Sequence, residues 1–591
     1  MGIPSYFRII LQRYKDSHSS TNKSNTDYFL IDFNSILYGV YGNLDKDKCL
    51  GKSQVVIANM IIKNTLKELE HIICEVVKPT KMVYIAFDGP APRAKMVQQR
   101  SRRFKSVQRN AFINYLDKKY DKKPSVNFNT AGNFSPGTQF MDKLCSAMTK
   151  AIKAGKLSKH IKSKGSLEFV LNTSNVPGEG EHKYMPLIRK LDKDNKKDSI
   201  VVYSPDADVI VLSISSNKDN IKVMTQPKNA VAKEIYPHAE FIFLDINLVR
   251  KYFLDALEIE GDFDVRRICH DYVFLTTLEG NDFVVPVQYL SVRRDEMKTV
   301  MRIYKKNLKE IKEYLIDVDE KSKRVKINEK FLLKIFEELA KDEKRRFQNL
   351  IKRTVHRGRK NRSNYTLKAE KDKSMYEIEL SRYEHEPYYR PENPDYKIYN
   401  REFNKIDYWK EDYEDSYYKY FLKINVRNES EYDRYLKMVC QNYLESLVFT
   451  IEYYLFAKPA WRWHYRFRCA PLFSTLVMYL RGYKKALDIK LEEGSPFTPL
   501  QQLFMILPPQ LSNLLPKGYG KLMTDIDSPL IQYFPVDFKL DVMLGQKQEY
   551  SEPLLPELDE ELILEEIGKI KLTKTEERRN LILKDPIKIK V

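Results

Sequence analysis

Sulfur chemistry has little footing in this sequence. Its six cysteines, at 49, 74, 145, 269, 440 and 469, form no CxxC pair and no repeated spacing. That excludes a zinc knuckle and a disulfide framework, and it fits a reducing compartment. No apolar run approaches the roughly 18 residues of a membrane-spanning helix, so no transmembrane segment is expected. The opening MGIPSYFRII lacks the long apolar stretch of a signal peptide. Acylation at Gly2 is not expected either, because Tyr6 stands where N-myristoylation wants Ser or Thr. Glycine is sparse, 20 among 591 residues, and no internal repeat is present. With 42% hydrophobic and 31% charged residues, the chain is neither disordered nor collagen-like. What it has is positive charge: 101 Lys and Arg against 81 Asp and Glu give a net +20, which favours a polyanionic partner.

The first 290 residues alternate short apolar runs with longer charged stretches, the pattern of an α/β unit built on a mostly parallel sheet. Tyr28–Ile31, Met82–Phe87, Leu167–Leu171 and Ile200–Tyr203 are short, β-branched and aromatic, and read as buried strands. Residues 292–350, rich in Lys, Glu and Leu without glycine or proline, read as helices. Eleven tyrosines lie between Tyr376 and Tyr420, predicting an ordered connector that packs its rings. Residues 430–480 read as helical again, and 490–591 as a proline-punctuated end segment. The expected division is 1–350, 351–425 and 426–591.

Acid follows each of the four strands. Asp32 ends the first, and Asp88-Gly89 the second. The third leads to Pro177-Gly178-Glu179-Gly180-Glu181, and the fourth to Ser204-Pro205-Asp206-Ala207-Asp208. A further acid, Asp282, stands in Glu279-Gly280-Asn281-Asp282-Phe283 after another apolar run. The carboxyl ends of parallel strands converge on one edge, where ligands bind. Seven carboxylates gathered there repel one another unless cations neutralise them. Oxygen donors without a Cys or His cluster point to Mg²⁺ or Mn²⁺. Two such ions about 4 Å apart can activate a water and stabilise a leaving oxygen in phosphodiester hydrolysis. Taken singly, each acid is equally a turn former or a helix N-cap. The joint pattern is what points to a metal-dependent nuclease or phosphatase.

Residues 93–109, RAKMVQQRSRRFKSVQR, hold seven basic residues and no acid. On a helix, Lys95, Gln99, Arg102 and Arg103 share a face beside the metal edge. Two readings stand open: a pocket for a terminal phosphate, or a basic face gripping nucleic acid anywhere along its backbone.

Together these stretches resemble the XRN family of 5′→3′ exoribonucleases. The resemblance is carried by MGIPSYFR, FDGPAPRAKMVQQRSRRFK at 87–105, PGEGEHK at 177–183, SPDADVI at 204–210 and EGNDF at 279–283. It continues through Trp461-Arg462-Trp463 with Cys469-Ala470-Pro471, and Phe497-Thr498-Pro499 with Gln502-Leu503. Leu507-Pro508-Pro509, residues 523–529, Phe534-Pro535-Val536-Asp537 and Arg578-Arg579-Asn580 complete it, leaving 305–400 the poorest part. The resemblance implies a PIN/FEN-like catalytic α/β unit with a second, mainly helical conserved region packed against it and completing the active site. It implies Mg²⁺-dependent, processive removal of nucleoside 5′-monophosphates from single-stranded RNA with a 5′-monophosphate, as in mRNA decay. A decapping or pyrophosphatase enzyme would supply such ends.

Carried over motif by motif, Asp32, Asp88, Glu179, Glu181, Asp206, Asp208 and Asp282 are the metal-site acids, and none is missing. Lys95, Gln99, Arg102 and Arg103 match the 5′-phosphate pocket. Tyr38 stands where the family commonly has a base-stacking His, with Trp461 rather than Trp463 expected as its partner. Val284-Val285-Pro286 replaces the usual Leu-Pro-His, and 464–469 departs from the family's aromatic stretch. The competing readings are a structure-specific flap endonuclease and a non-catalytic scaffold holding 5′-monophosphate ends. A monomer in the cytoplasm is expected. A nuclear role stays open through residues 357–362, although that patch reads rather as a solvated or RNA-facing loop.

Overall fold

A computed structural model describes residues 6–22, 25–122, 128–159, 161, 166–259, 261–290, 296–353, 374–386, 401–403, 406–424, 428–483, 485–542 and 551–591. Residues 1–5 of the opening motif, the 357–362 patch and the prolines at 387, 391 and 394 lie outside these. No helix among the described residues is long and apolar enough to cross a membrane.

Alternation with a period of two builds the central sheet. Its first seven strands are His18–Ser19 (β1), Tyr28–Asp32 (β2), Met82–Ala86 (β3), Glu168–Asn172 (β4), Ile200–Tyr203 (β5), Ile221–Thr225 (β6) and Ile242–Asp245 (β7). In space β6, β5, β2, β3 and β4 lie side by side and parallel. Antiparallel strands close both sides: β7 and β1 beyond β6, and Ile587–Lys590 beyond β4. Phe29, Ile31, Val83, Ile85 and Phe169 face one apolar core, and Leu30, Tyr84, Val170 and Val202 face the other. Burial on both faces explains why these strands read as unbroken apolar runs.

The second core continues without a break from the sheet into the helices Glu329–Ala340 and Glu429–Phe456. A third core joins Met96 to Phe497, Leu500, Leu503 and Phe504. Five of the connector tyrosines, Tyr383, Tyr408, Tyr413, Tyr417 and Tyr418, are buried. Tyr417 donates to Ala470 O at 2.9 Å and Tyr418 to Thr475 Oγ1 at 2.8 Å. The ring-packing expectation therefore holds over the described part of the connector.

One sequence expectation needs correction. Residues 292–350 are not all helix, because Ile316–Asp319 and Arg324–Ile327 form a hairpin between helices. Asp319 turns it by accepting the backbone N–H of Lys321 and Ser322, a side-chain turn that needs no glycine. The apolar run before Asp282 is the helix Val265–Thr277. The acid reaches the sheet edge from a helix terminus.

Candidate active site

β2 lies between β3 and β5: β3 and β4 extend the sheet to one side of it and β5 and β6 to the other, so the strand order reverses there and a crevice opens at its carboxyl end. Asp32 ends β2 and is buried. The Ser204 hydroxyl, just beyond β5, donates to Asp32 Oδ2 at 3.0 Å and accepts the Asp206 N–H at 3.1 Å. Asp88, two residues beyond β3, accepts Asn34 Nδ2 at 2.8 Å and the Gly180 N–H at 3.0 Å.

The loops after β3 and β4 are clasped by two backbone bonds, Gly89 N to Gly178 O at 2.9 Å and Gly178 N to Pro90 O at 2.8 Å. Gly89 is required there, since a Cβ would lie 1.8 Å from Val176 O. Gly180 separates the two glutamates for a similar reason, its Cβ position being 3.0 Å from Asp32 Oδ1. The clasp brings Asp32, Asp88 and Glu181 together, with one ligand atom from each lying within 4.8 Å of the others. These three can hold a metal ion, and an all-carboxylate donor set suits a hard divalent cation.

Burial is what makes this cluster costly without a cation. It raises the Asp32 carboxyl well above the usual range, with Asp88 and Asp206 adding repulsion. Glu181 is raised likewise, by burial first and then by Glu179 and Asp32. Asp208, at the start of the helix Asp208–Ser215, is pushed up to about 7 by burial foremost and by Asp282 next. Asp282 goes the other way: burial would raise it, but Lys95 and Arg102 hold it well below the ordinary carboxylate range.

A carboxyl with a higher pKa folded than unfolded stabilises the fold at low pH and loses that contribution as pH rises through its folded value. From the Asp208 value of about 7, the chelator-treated protein should lose stability from this cluster as pH climbs through neutrality. A divalent ion needs the same groups deprotonated. Melting curves in chelator and in Mg²⁺ should therefore separate further as pH rises from about 5 to about 8. A separation that is constant across that range would contradict this account.

The basic helix, Arg93–Lys119, divides its residues between two tasks. Lys95 bridges Glu179 and Asp282, its Nζ lying 2.7 Å from Asp282 Oδ2. Gln98 also donates to Asp282, and Arg102 Nη2 lies 3.4 Å from it. Arg103 donates to Gln99 O at 3.1 Å and Ser135 Oγ at 2.7 Å. Other residues of the helix hold the C-terminal half of the chain. Arg100 donates to Pro556 O at 2.7 Å and Tyr533 O at 2.6 Å, and Gln108 to Phe538 O at 3.0 Å. The basic run is thus partly a structural spine.

The sequence reading did not single out Ser204, Asn34, Gln98 or Tyr453. Tyr453, on the helix Glu429–Phe456, donates to Glu179 Oε1 at 3.3 Å and stacks on His182 at 3.7 Å between ring centres. Only Asn34 carried a local signal, lying two residues after a strand-end acid. Tyr38 is half exposed and meets Phe134 edge-on at 5.2 Å. Trp463 is occupied, stacked on Phe449 at 4.8 Å with its indole N–H on Glu445. Trp461 lies in a turn beyond that helix, not on one, and its carbonyl accepts the Arg93 N–H at 2.8 Å.

Comparison with known proteins agrees with this geometry. Residues 1–227 match the family model for the XRN 5′-3′ exonuclease N-terminus, and residues 262–591 that for the Xrn1 helical domain. Over 98% of its length the chain is 27% identical to the human 5′-3′ exoribonuclease 1, covering 35% of that protein. It is 25% identical to the Drosophila melanogaster 5′-3′ exoribonuclease 2 homolog, over 98% of this chain and 72% of the relative. With the Saccharomyces cerevisiae 5′-3′ exoribonuclease 1 the identity is 25%, over 99% of this chain and 44% of the relative. The chain thus spans about a third of the human protein and under half of the yeast one. With matched regions running from residue 1 to 227 and from 262 to 591, the chain belongs to the XRN 5′→3′ exonuclease family.

Proposed function

We propose that this chain is a processive 5′→3′ exoribonuclease that acts in RNA decay on single-stranded RNA bearing a 5′-monophosphate. The observation that carries the reading is a buried acid cluster flanked by a cationic helix. The seven acids hold Mg²⁺, or Mn²⁺ in its place, with Asp32, Asp88 and Glu181 as the nucleus of the site. Ions held there supply the positive charge that activates a water and offsets charge on the departing oxygen.

Lys95, Gln99, Arg102 and Arg103 receive the 5′-phosphate. Arg102 and Arg103 each keep a buried Nε without a protein partner, donors that an anionic ligand satisfies. A 5′-hydroxyl end would leave them unpaired, and a cap or triphosphate would overfill the space. Water adds to the first internal phosphorus while the bond from that phosphorus to O3′ of the leading nucleotide breaks. The leading residue leaves as a nucleoside 5′-monophosphate with a free 3′-hydroxyl, and the shortened RNA keeps a 5′-monophosphate. Each product is therefore the next substrate, which suits advance without release. Tyr38 and Trp461 offer aromatic faces for the leading bases, a sequence-tolerant hold. The enzyme acts as a monomer in the cytoplasm, downstream of a decapping or pyrophosphatase reaction that supplies the 5′-monophosphate.

The test is a time course in Mg²⁺ on one 3′-labelled RNA bearing a 5′-monophosphate, a 5′-triphosphate or a 5′-hydroxyl, with the Asp208→Ala protein as control. The monophosphate RNA should disappear far faster than the other two, without intermediates, and the control should leave it intact. Equal cleavage of all three would favour an endonuclease, and binding without cleavage a scaffold.

A further inference from the structure

Gln502 comes from neither the acid cluster nor the basic helix, yet it hydrogen-bonds a side chain of that helix. It lies on the helix Pro499–Ile506, where it is fully buried. Its Oε1 accepts the Ala91 N–H at 2.6 Å, and its Nε2 donates to Gln99 Oε1 at 3.2 Å.

Hydrogen-bond polarity dictates the orientation of both amides. A backbone N–H can only donate, so the Gln502 atom facing Ala91 is oxygen. The Gln502 atom facing Gln99 is then the NH₂ group, and the Gln99 atom meeting it is oxygen. The group left over on Gln99 is its Nε2, with two N–H donors. Swapping either amide would set donor against donor or acceptor against acceptor in a buried place, where each unmet group carries its full desolvation penalty.

We propose that Gln502 is a positioning residue for recognition of the RNA 5′ end. By occupying the Gln99 oxygen, it keeps Gln99 turned donor-outward toward a phosphate monoester, whose oxygens are acceptors. A flipped Gln99 would offer its carbonyl oxygen to those same oxygens and repel them. This inference rests on the proposed role of Gln99 at the 5′-phosphate.

Gln502→Glu tests it, since the carboxylate keeps the Ala91 bond but cannot donate to Gln99. Its second oxygen should instead draw the Gln99 NH₂ inward. The readout is kcat/KM on RNAs of one sequence with a 5′-monophosphate or a 5′-hydroxyl, with melting curves confirming the fold. The preference for the monophosphate should fall about tenfold or more. The loss should enter through KM on that substrate, with the 5′-hydroxyl RNA unaffected. In a Gln99→Leu background the same substitution should change the preference no further.

If Gln502→Glu fails to fold, Gln502→Met replaces it. That variant frees Gln99 to flip and should show a smaller fall in the same sense. A folded variant that keeps the wild-type preference, or loses rate equally on both ends, overturns the inference while leaving the proposed function standing. The same holds if the full loss persists without the Gln99 amide. A wild-type enzyme with no 5′-end preference overturns both together.

Discussion

The Asp88→Ala protein should fold normally and hydrolyse 5′-monophosphorylated RNA at least about a thousandfold more slowly than wild type. Asp88 sits within the compact triad with Asp32 and Glu181, oriented by Asn34 and by the Gly180 N–H. Losing it removes one carboxylate of that triad at the point where the loops after β3 and β4 meet. Stability should move the opposite way to activity. Asp32 is destabilised in its charged form by burial first and by Asp88 next, so removing Asp88 relieves a buried like-charge contact. Melting in chelator should be unchanged or rise, while the stabilisation expected of Mg²⁺ on wild type, through binding to the folded state, should disappear. Activity within about tenfold of wild type, with the Mg²⁺ shift intact, would place the metal elsewhere.

Lys95→Met should be the second most damaging change, and for a different reason. The Lys95 side chain is 15% exposed and lies between two acids that are themselves nearly buried. Burial alone would lower its pKa, but Asp282, Glu179 and Glu181 hold it well above the usual lysine value, so it stays charged. Methionine would preserve most of the volume and leave Glu179 and Asp282 uncompensated. Removing one partner of a buried ion pair costs about 3–5 kcal/mol, so the melting temperature in chelator should fall clearly. Mg²⁺ should recover part of that loss by supplying positive charge nearby. On the proposed role of Lys95 at the 5′-phosphate, it should not restore the preference for a 5′-monophosphate. Recovery of both by Mg²⁺ would reduce Lys95 to a charge-balancing role.

The four central strands were legible in the sequence almost to the residue, because a strand buried on both faces must be apolar throughout. β6 and β7 were missed as elements, although Ile221–Thr225 and Ile242–Asp245 carry the same kind of residues. The motif that draws attention is an acid at the strand end followed by a turn; β6 has none, and the acid that ends β7, Asp245, is the N-cap of the helix that follows. The hairpin 316–327 was misread as helix because its charged, glycine-free composition is shared by surface helices. Its two-residue alternation was the contrary signal.

The acids and the basic helix were visible because their spacing is local. Their partners were not. Ser204 reaches Asp32 across 172 residues, Tyr453 reaches Glu179 across 274 and Gln502 reaches Gln99 across 403. The C-terminal strand Ile587–Lys590, which pairs with β4, reads locally as a short basic tail.

Local pattern alone was enough to read the parallel sheet, the acids that follow four of its strands and the cationic helix that follows Asp88. These are properties of neighbours along the chain, set by periodicity and by strand-end chemistry. Tertiary structure alone decided how the cationic residues are divided. Lys95 is drawn into the acids, Arg100 is spent on the carbonyls of Tyr533 and Pro556, and Gln99 is turned by a buried amide from the far half of the chain. Composition cannot make that division, because identical side chains on one helix acquire different tasks only when the rest of the protein folds around them. The low dielectric of that packed interior then makes each pairing obligatory.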